Sequence, residues 1–304
     1  MKRFLALLWT TCSMTVFGAA QAAAPSTTPY APYDDFNARL LNPAKWSGGE
    51  TDDARVNLEN LRYIHGNSLR LYSRGSAATK SSLGTRYGSN SLRFRNPNSI
   101  TAIKASVQAK SATLTKCPAN SNVSLVRARL GGTFFNAGPR ISGDNTNDVL
   151  AQIRLERTST STDAPNVVRV RYKVSLCLDS NCFNASDLKS GEIGPPVKFG
   201  QKVALSLEWD KTTKRFIFRR DGLEAVVNYT VSDASTPGAS FKQLQVGHYV
   251  ANCTSTTAPT AAMDAYFDDV YTNPLSASSA KSTEMEEIDP RDLIYGESVE
   301  AAGL

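Results

Sequence analysis

Apolar and polar residues alternate in short runs along almost the whole body of this 304-residue chain, and no long stretch keeps a helical period. Side chains along a strand point to opposite faces with a period of two, so alternation marks half-buried strands. Such runs occupy 62–72, 100–109, 125–135, 149–157, 167–176, 203–209, 215–219, 244–250 and 265–272. Turn residues punctuate them: Gly66-Asn67 splits the first into a hairpin, Asp210-Lys211-Thr212-Thr213 precedes 215–219, and Asp221-Gly222 follows it. Glycine and asparagine tolerate the positive φ that a two-residue hairpin turn requires. Many short strands joined by polar turns predict an all-β sandwich of two antiparallel sheets. About 240 residues is an ordinary size for one all-β unit, so residues 33–274 read as one β-sandwich domain.

Two segments far apart in sequence share an acidic-aromatic pattern. Tyr33-Asp34-Asp35-Phe36 stands near the start, ahead of Asn42-Pro43-Ala44-Lys45-Trp46-Ser47-Gly48, and Ala265-Tyr266-Phe267-Asp268-Asp269-Val270-Tyr271-Thr272 stands near the end. They are expected to meet and close the sandwich.

The flanks read differently. Residues 1–22 have the form of a secretory signal peptide: Lys2 and Arg3, an apolar run, then Ala20-Gln21-Ala22. Thr10, Thr11, Ser13 and Thr15 interrupt that run, which is shorter than the ~20 apolar residues of a membrane span. A secreted or periplasmic protein without stable membrane insertion is expected. Residues 23–32 form a Pro/Thr/Ala linker expected to be extended. The segment 275–304 is acidic, lacks a strand pattern and reads as a disordered tail.

Cysteine usage fits export. Removing Cys12 with the signal leaves Cys117, Cys177, Cys182 and Cys253, an even number that predicts two disulfides among three connectivities. The short loop between Cys177 and Cys182 suits a local bridge, which pairs Cys117 with Cys253. Zinc is disfavoured, because the spacing is not Cys-x-x-Cys and only His65 and His248 could assist.

The formal charge is +6, and because the tail is acidic the body is more basic than the total. A basic body attracts anionic partners such as acidic polysaccharide or cell-wall polymer. No nucleic-acid motif, Gly-rich phosphate loop or Ser/His/Asp order stands out, so no nucleic-acid partner is expected. Oligomeric state is not legible.

Glu59-Asn60-Leu61-Arg62-Tyr63-Ile64-His65-Gly66-Asn67-Ser68-Leu69-Arg70-Leu71, Leu205-Ser206-Leu207-Glu208-Trp209 and Phe216-Ile217-Phe218-Arg219-Arg220-Asp221-Gly222 occur in an order that, with the terminal pairing, resembles concanavalin A-like jelly rolls, the lectin and glucanase superfamily. The resemblance covers most of the mature body. It implies a two-sheet jelly roll whose concave face is the usual glycan groove, and that fold hosts binders, enzymes and structural modules alike. Trp46 and Trp209 lie in the motifs that pin the sandwich and read as core anchors.

Alternation then locates a basic face. Val126, Ala128 and Leu130 point one way and Arg127 and Arg129 the other; Ile153 and Leu155 oppose Arg154; Val168, Val170, Tyr172 and Val174 oppose Arg169, Arg171 and Lys173. If these strands are neighbours, six cations share one exposed sheet surface. Arginine suits an anionic glycan, since its planar donors fork onto a carboxylate or sulfate.

Catalysis lacks its expected residues. Glucanase-type sandwiches carry a carboxylate cluster such as Glu-x-Asp-x-x-Glu on one strand, and this chain has none. Gln152-Ile153-Arg154 and Gln245-Val246-Gly247-His248-Tyr249 resemble strands of alginate-lyase-like sandwiches, with Ser91-Leu92-Arg93-Phe94-Arg95 a fainter echo. That resemblance implies Tyr249, Gln152 and Arg95 as a catalytic set. Arg154 stands where the lyases carry His, and His248 points away from Tyr249.

Asp34, Asp35, Asp268 and Asp269 could hold a structural Ca²⁺, the one cofactor considered, as hard oxygen ligands near paired termini. The leading expectation is a non-catalytic exported module that binds an anionic polysaccharide. A structural or protein-binding envelope module and a diverged uronate-polymer lyase are the alternatives.

Overall fold

The computed structural model describes residues 29–52, 58–254 and 258–275. The segment read as a signal peptide, most of the linker and nearly all of the acidic tail lie outside the described residues. In chain order the strands are β1 (Ala31–Asp34), β2 (Trp46–Asp52), β3 (Leu58–Ile64), β4 (Leu69–Ser76), β5 (Thr85–Phe94), β6 (Ala102–Leu114), β7 (Leu125–Asn136) and β8 (Asp148–Thr158), then β9 (Val167–Cys177), β10 (Ala185–Glu192), β11 (Val197–Lys198), β12 (Lys202–Asp210), β13 (Arg215–Arg220), β14 (Leu223–Asn228), β15 (Lys242–Ala251) and β16 (Thr260–Thr272).

All pairings are antiparallel, and they sort the strands into two sheets. Sheet A runs β14-β13-β12-β6-β16-β4-β3, with β1 on β16; sheet B runs β10-β9-β8-β7-β15-β5-β2, with β11 on β9. This is the two-sheet, all-β sandwich expected from alternation.

The two ends of the chain do meet. Strand β1 pairs with β16, placing Ala31 opposite Thr272 and Asp34 opposite Val270. It begins at Ala31, inside the segment read as linker. The Trp46 indole donates to Asp34 at 2.6 Å, and Tyr33, Phe36 and Phe94 pack on the same ring. The acidic-aromatic motif therefore has a packing cause: its carboxylate satisfies the indole N–H that burial would otherwise strand.

The inward residues of both sheets form one continuous core, including Leu69, Leu71, Val107, Val126, Leu130, Ile153, Val170, Leu205, Phe216, Val246 and Phe267. Trp46 is buried in it and Trp209 packs against it, as core anchors should. The β3–β4 hairpin turns through Gly66 (φ 57) and Asn67 (φ 58), while Asp221 (φ 51) opens the β13–β14 turn. Both cysteine pairs are bonded as expected, Cys117 to Cys253 and Cys177 to Cys182. The first ties the segment after β6 to the one after β15.

Candidate functional site

Strands β9, β8, β7, β15 and β5 lie side by side in sheet B, and their register turns the outer face into a grid. One row carries Arg171, Arg154, Arg129, Gln245 and Ser91, each opposite the next. The row on one side carries Arg169, Glu156, Arg127 and Gly247. On the other side stand Lys173, Gln152, Gly131, Gln243 and Arg93. Beyond Arg127, Tyr249 lies opposite Tyr87. The six cations picked out by alternation thus share one face.

That face is not the open surface expected. Arg127, Arg129 and Arg154 are at most 9% exposed, and Glu156 beside them is 4% exposed. Only Arg169, Arg171 and Lys173 remain half-exposed, along the rim. Long neighbouring side chains supply the cover. The Arg127 guanidinium stacks over Tyr249 at 5.3 Å and Tyr87 at 6.0 Å, and the Tyr87 hydroxyl reaches Gln245 at 3.4 Å. Phe183, on the loop stapled by Cys177 and Cys182, meets the Tyr87 ring edge-on at 6.2 Å.

Charge balance divides the cluster into two zones. Each rim cation has an acid: Arg169 pairs with Asp163 and Glu192, Arg171 with Glu192, and Lys173 with Asp187. The centre holds three buried guanidiniums and one buried carboxylate. Glu156 bonds Arg154 at 2.6 Å and reaches Arg171 at 3.5 Å. Among the described residues neither Arg127 nor Arg129 forms an ion pair; Arg129 donates to the neutral Gln152 amide oxygen at 2.8 Å.

Burial without compensation perturbs these groups. Burial first, then the charge of Arg127, pushes Arg129 below the usual arginine range. Burial also lowers Arg154, only partly offset by Glu156. Burial alone would raise the Tyr87 hydroxyl, but Arg129 and Arg127 together outweigh it and hold the group below its ordinary value. Burial works against Arg127 too, but Tyr249, Tyr87 and Glu156 outweigh it and hold the group above the usual arginine range, so the shortage of negative charge falls on Arg129 and Arg154.

Four polar atoms here have no hydrogen-bond partner although they are buried: Arg127 Nε, Arg129 Nε, Arg154 Nη1 and Gln245 Oε1. Buried donors and acceptors are ordinarily satisfied, because leaving one unpaired costs about 1–3 kcal/mol. Three orphan donors on cations and one orphan acceptor suit a ligand that brings both an anion and a hydroxyl. A cleft of about 290 Å³ is lined by Arg127 and Arg154 together with Gln152, Glu156, Lys173 and Tyr249 among others, but not by Arg129 or Gln245.

The lyase set is only partly assembled. Tyr249 and Gln152 line this cleft. Arg95 lies beyond the end of β5, exposed and donating to the Pro43 carbonyl. Tyr87, the cross-strand partner of Tyr249, is eight positions back, roughly 26 Å along a strand. Arg95 therefore has no place in the cluster, and Tyr87, which sequence reasoning missed, stands beside Tyr249 instead. His248 is fully buried on the inter-sheet side, its Nδ1 3.2 Å from the Ser73 hydroxyl.

Glu156 is held by Arg154, while Glu192 and Asp163 are held by Arg169.

The four aspartates expected to hold calcium have other partners in the fold. Asp34 accepts from Trp46 and the Phe36 N–H, Asp35 from Asn37, Asp268 from Lys202 and Asp269 from Ser106. Each carboxylate already serves a local partner, and among the described residues no group of three His, Cys, Asp or Glu could hold a metal. No described helix is long and apolar enough to cross a membrane.

No protein-family model matches the chain, and no curated protein matches it. Solved structures with some likeness include a GlcNAcα1-4Gal-releasing endo-β-galactosidase from Clostridium perfringens, 10% identical over 83% of this chain and 64% of that one, with a TM-score of 0.42. A laminarinase from Flavobacterium sp. UMI-01 is 11% identical over 79% of this chain and 98% of that one, TM-score 0.42. A carbohydrate binding module from Bacillus subtilis is 16% identical over 73% and 93%, TM-score 0.31. Likeness at this level bears on neither the site nor its chemistry.

Proposed function

We propose that this chain is an exported glycan-binding sandwich that holds an acidic sugar in the sheet B cleft. One observation supports it above the others: two buried guanidiniums, Arg127 and Arg129, form no ion pair and leave their Nε donors unpartnered, Arg127 in the lining of a cleft bordered by Tyr249, and Arg129 two residues along the same strand. A sugar carboxylate supplies the missing charge as a forked acceptor. Its ring hydroxyls can meet the Gln152 amide in the cleft lining, and Tyr249 offers an apolar ring surface. Export agrees with two disulfides and with the signal-like start of the sequence.

Calorimetric titration with uronic-acid-containing oligosaccharides against neutral glucans of equal length tests this function. Acidic ligands should bind, and Arg127→Met and Arg129→Met should each weaken them at least tenfold. Equal affinity for neutral and acidic ligands would remove the anionic site.

A second function, lyase chemistry on uronates, draws on one specific feature. The Tyr87 hydroxyl sits in the field of Arg127 and Arg129, which favours its ionised form, beside Tyr249. A phenolate there could take the proton α to a carboxylate that the arginines hold, with the glycosidic oxygen leaving and a ring double bond formed. Ultraviolet absorbance of that unsaturated product, present with the wild type and lost in Tyr87→Phe or Tyr249→Phe, would establish turnover. Intact oligosaccharide after long incubation would leave binding alone.

A further inference from the structure

We infer that the cleft recognises one isolated acidic sugar residue rather than a run of them. Resting on the anionic-glycan function above, this narrows the ligand class to glycans in which an acid stands among neutral units or at a chain end. The sequence suggested the opposite, because six cations on one open face would suit a polyanion.

The distribution of counter-charge decides between the two. A polyanion laid across the face would need a track of available cations. Three of the six are at the rim, and all three are spoken for: Arg169 lies 2.6 Å from Asp163 and 2.7 Å from Glu192, Arg171 lies 2.6 Å from Glu192, and Lys173 is bonded to Asp187. A second or third carboxylate arriving there would meet Asp163, Glu192 and Asp187, and like charges repel. The cations without an ion-pair partner are confined to alternate positions on β7, Arg127 and Arg129, with Arg154 opposite Arg129.

Burial and size agree with one residue. Arg127, Arg129 and Arg154 are all buried, so an anion reaching Arg127 and Arg154 in the cleft must leave solvent. At about 290 Å³ the cleft lies at the small end of the ~300–1,000 Å³ typical of small-molecule sites.

The test is salt-dependent titration of the full mature chain with two probes of equal length: a neutral xylo-oligosaccharide bearing a single glucuronic acid, and an oligouronate from alginate or pectate. By counterion release, neutralising six charges would give a log K against log salt slope of about −4 to −5, whereas one acid gives about −1 or shallower. The single-acid probe should bind at least as tightly as the oligouronate, with the shallow slope for both. Arg169→Gln at the rim should change its affinity less than twofold. Tighter oligouronate binding with a slope steeper than about −3, or a fivefold or greater loss in Arg169→Gln, would overturn the single-acid inference while leaving anionic-glycan binding standing. Loss of all preference for acid over neutral xylo-oligosaccharide would overturn both. Arg129→Lys, which keeps the charge on a smaller head, serves if Arg129→Met does not fold.

Discussion

Arg129 is a residue whose cost to the fold marks its use. It is 7% exposed, forms no ion pair and leaves Nε unpartnered. An uncompensated buried cation opposes folding, so replacing it with an apolar chain of similar length should stabilise, on the order of 1–3 kcal/mol. Thermal unfolding of Arg129→Met should show Tm raised by about 2–4 °C per kcal/mol while acidic-sugar binding is lost. A lowered Tm would mean that the guanidinium serves the fold. Lys242 is a second buried cation, its Nζ donating to the Pro97 and Thr133 carbonyls at 2.8 Å each over the Phe134 ring. Burial pushes it from 10.5 down to about 7. Between those values the unfolded chain binds a proton that the folded chain does not, so stability rises with pH across that window, by up to about 5 kcal/mol. Urea denaturation at a series of pH values should show that rise in the wild type and a flatter profile in Lys242→Met. At this scale the sequence told which way each side chain points, because alternation is geometric. It did not tell that the outer face of β7 and β8 is covered, because Tyr87 and Phe183 reach it from other strands and loops.

Among the elements, strands rich in branched and aromatic residues were legible and polar ones were not. Strands β7, β8 and β9 fall within one or two residues of their alternating runs. Strands β2 (WSGGETD), β5 (TRYGSNSLRF) and β10 (ASDLKSGE) are rich in Gly, Ser, Asn or acidic residues and fall outside the alternating runs; of β5 only the end, Ser91 to Phe94, was legible, through its likeness to a lyase strand. Tyr87 was missed with the rest of β5. The small residues there have a packing reason: a Cβ at Gly88 would lie 2.5 Å from His248 Nε2, and one at Gly75 only 2.1 Å. Gly88→Ala should therefore destabilise by at least about 2 kcal/mol by overpacking, read as a lower urea midpoint at unchanged m-value. The two disulfides should separate by role. Chain-entropy arguments give about 5 kcal/mol for a closed loop of 136 residues and about 2 for one of 5. Cys117→Ser with Cys253→Ser should lower Tm more than Cys177→Ser with Cys182→Ser. The latter pair should instead weaken sugar binding, because it frees the loop that brings Phe183 to Tyr87; unchanged affinity would detach that loop from the site.

At the scale of the whole molecule, the same architecture that builds a continuous core also concentrates charge. Antiparallel neighbours β7, β8 and β9 stack their outward residues in register, so cations spaced by two along each strand become rows across the sheet. The fold and the closure of its ends were readable because both depend on pattern. The acids that neutralise the rim were not, because Asp163, Glu192 and Asp187 come from segments whose place on the sheet edge only the assembled chain reveals. What remains after that neutralisation is a small, buried and positive centre. The most direct measurement of it is side-chain NMR of the arginine Nε–H groups during titration with a xylo-oligosaccharide bearing one glucuronic acid, with Arg127→Lys and Arg129→Lys assigning the signals. The Arg127 and Arg129 resonances should shift and gain protection from solvent exchange while those of Arg169 stay in place. Shifts confined to Arg169 and Arg171, or none at saturating ligand, would contradict a buried anion site at the centre of sheet B.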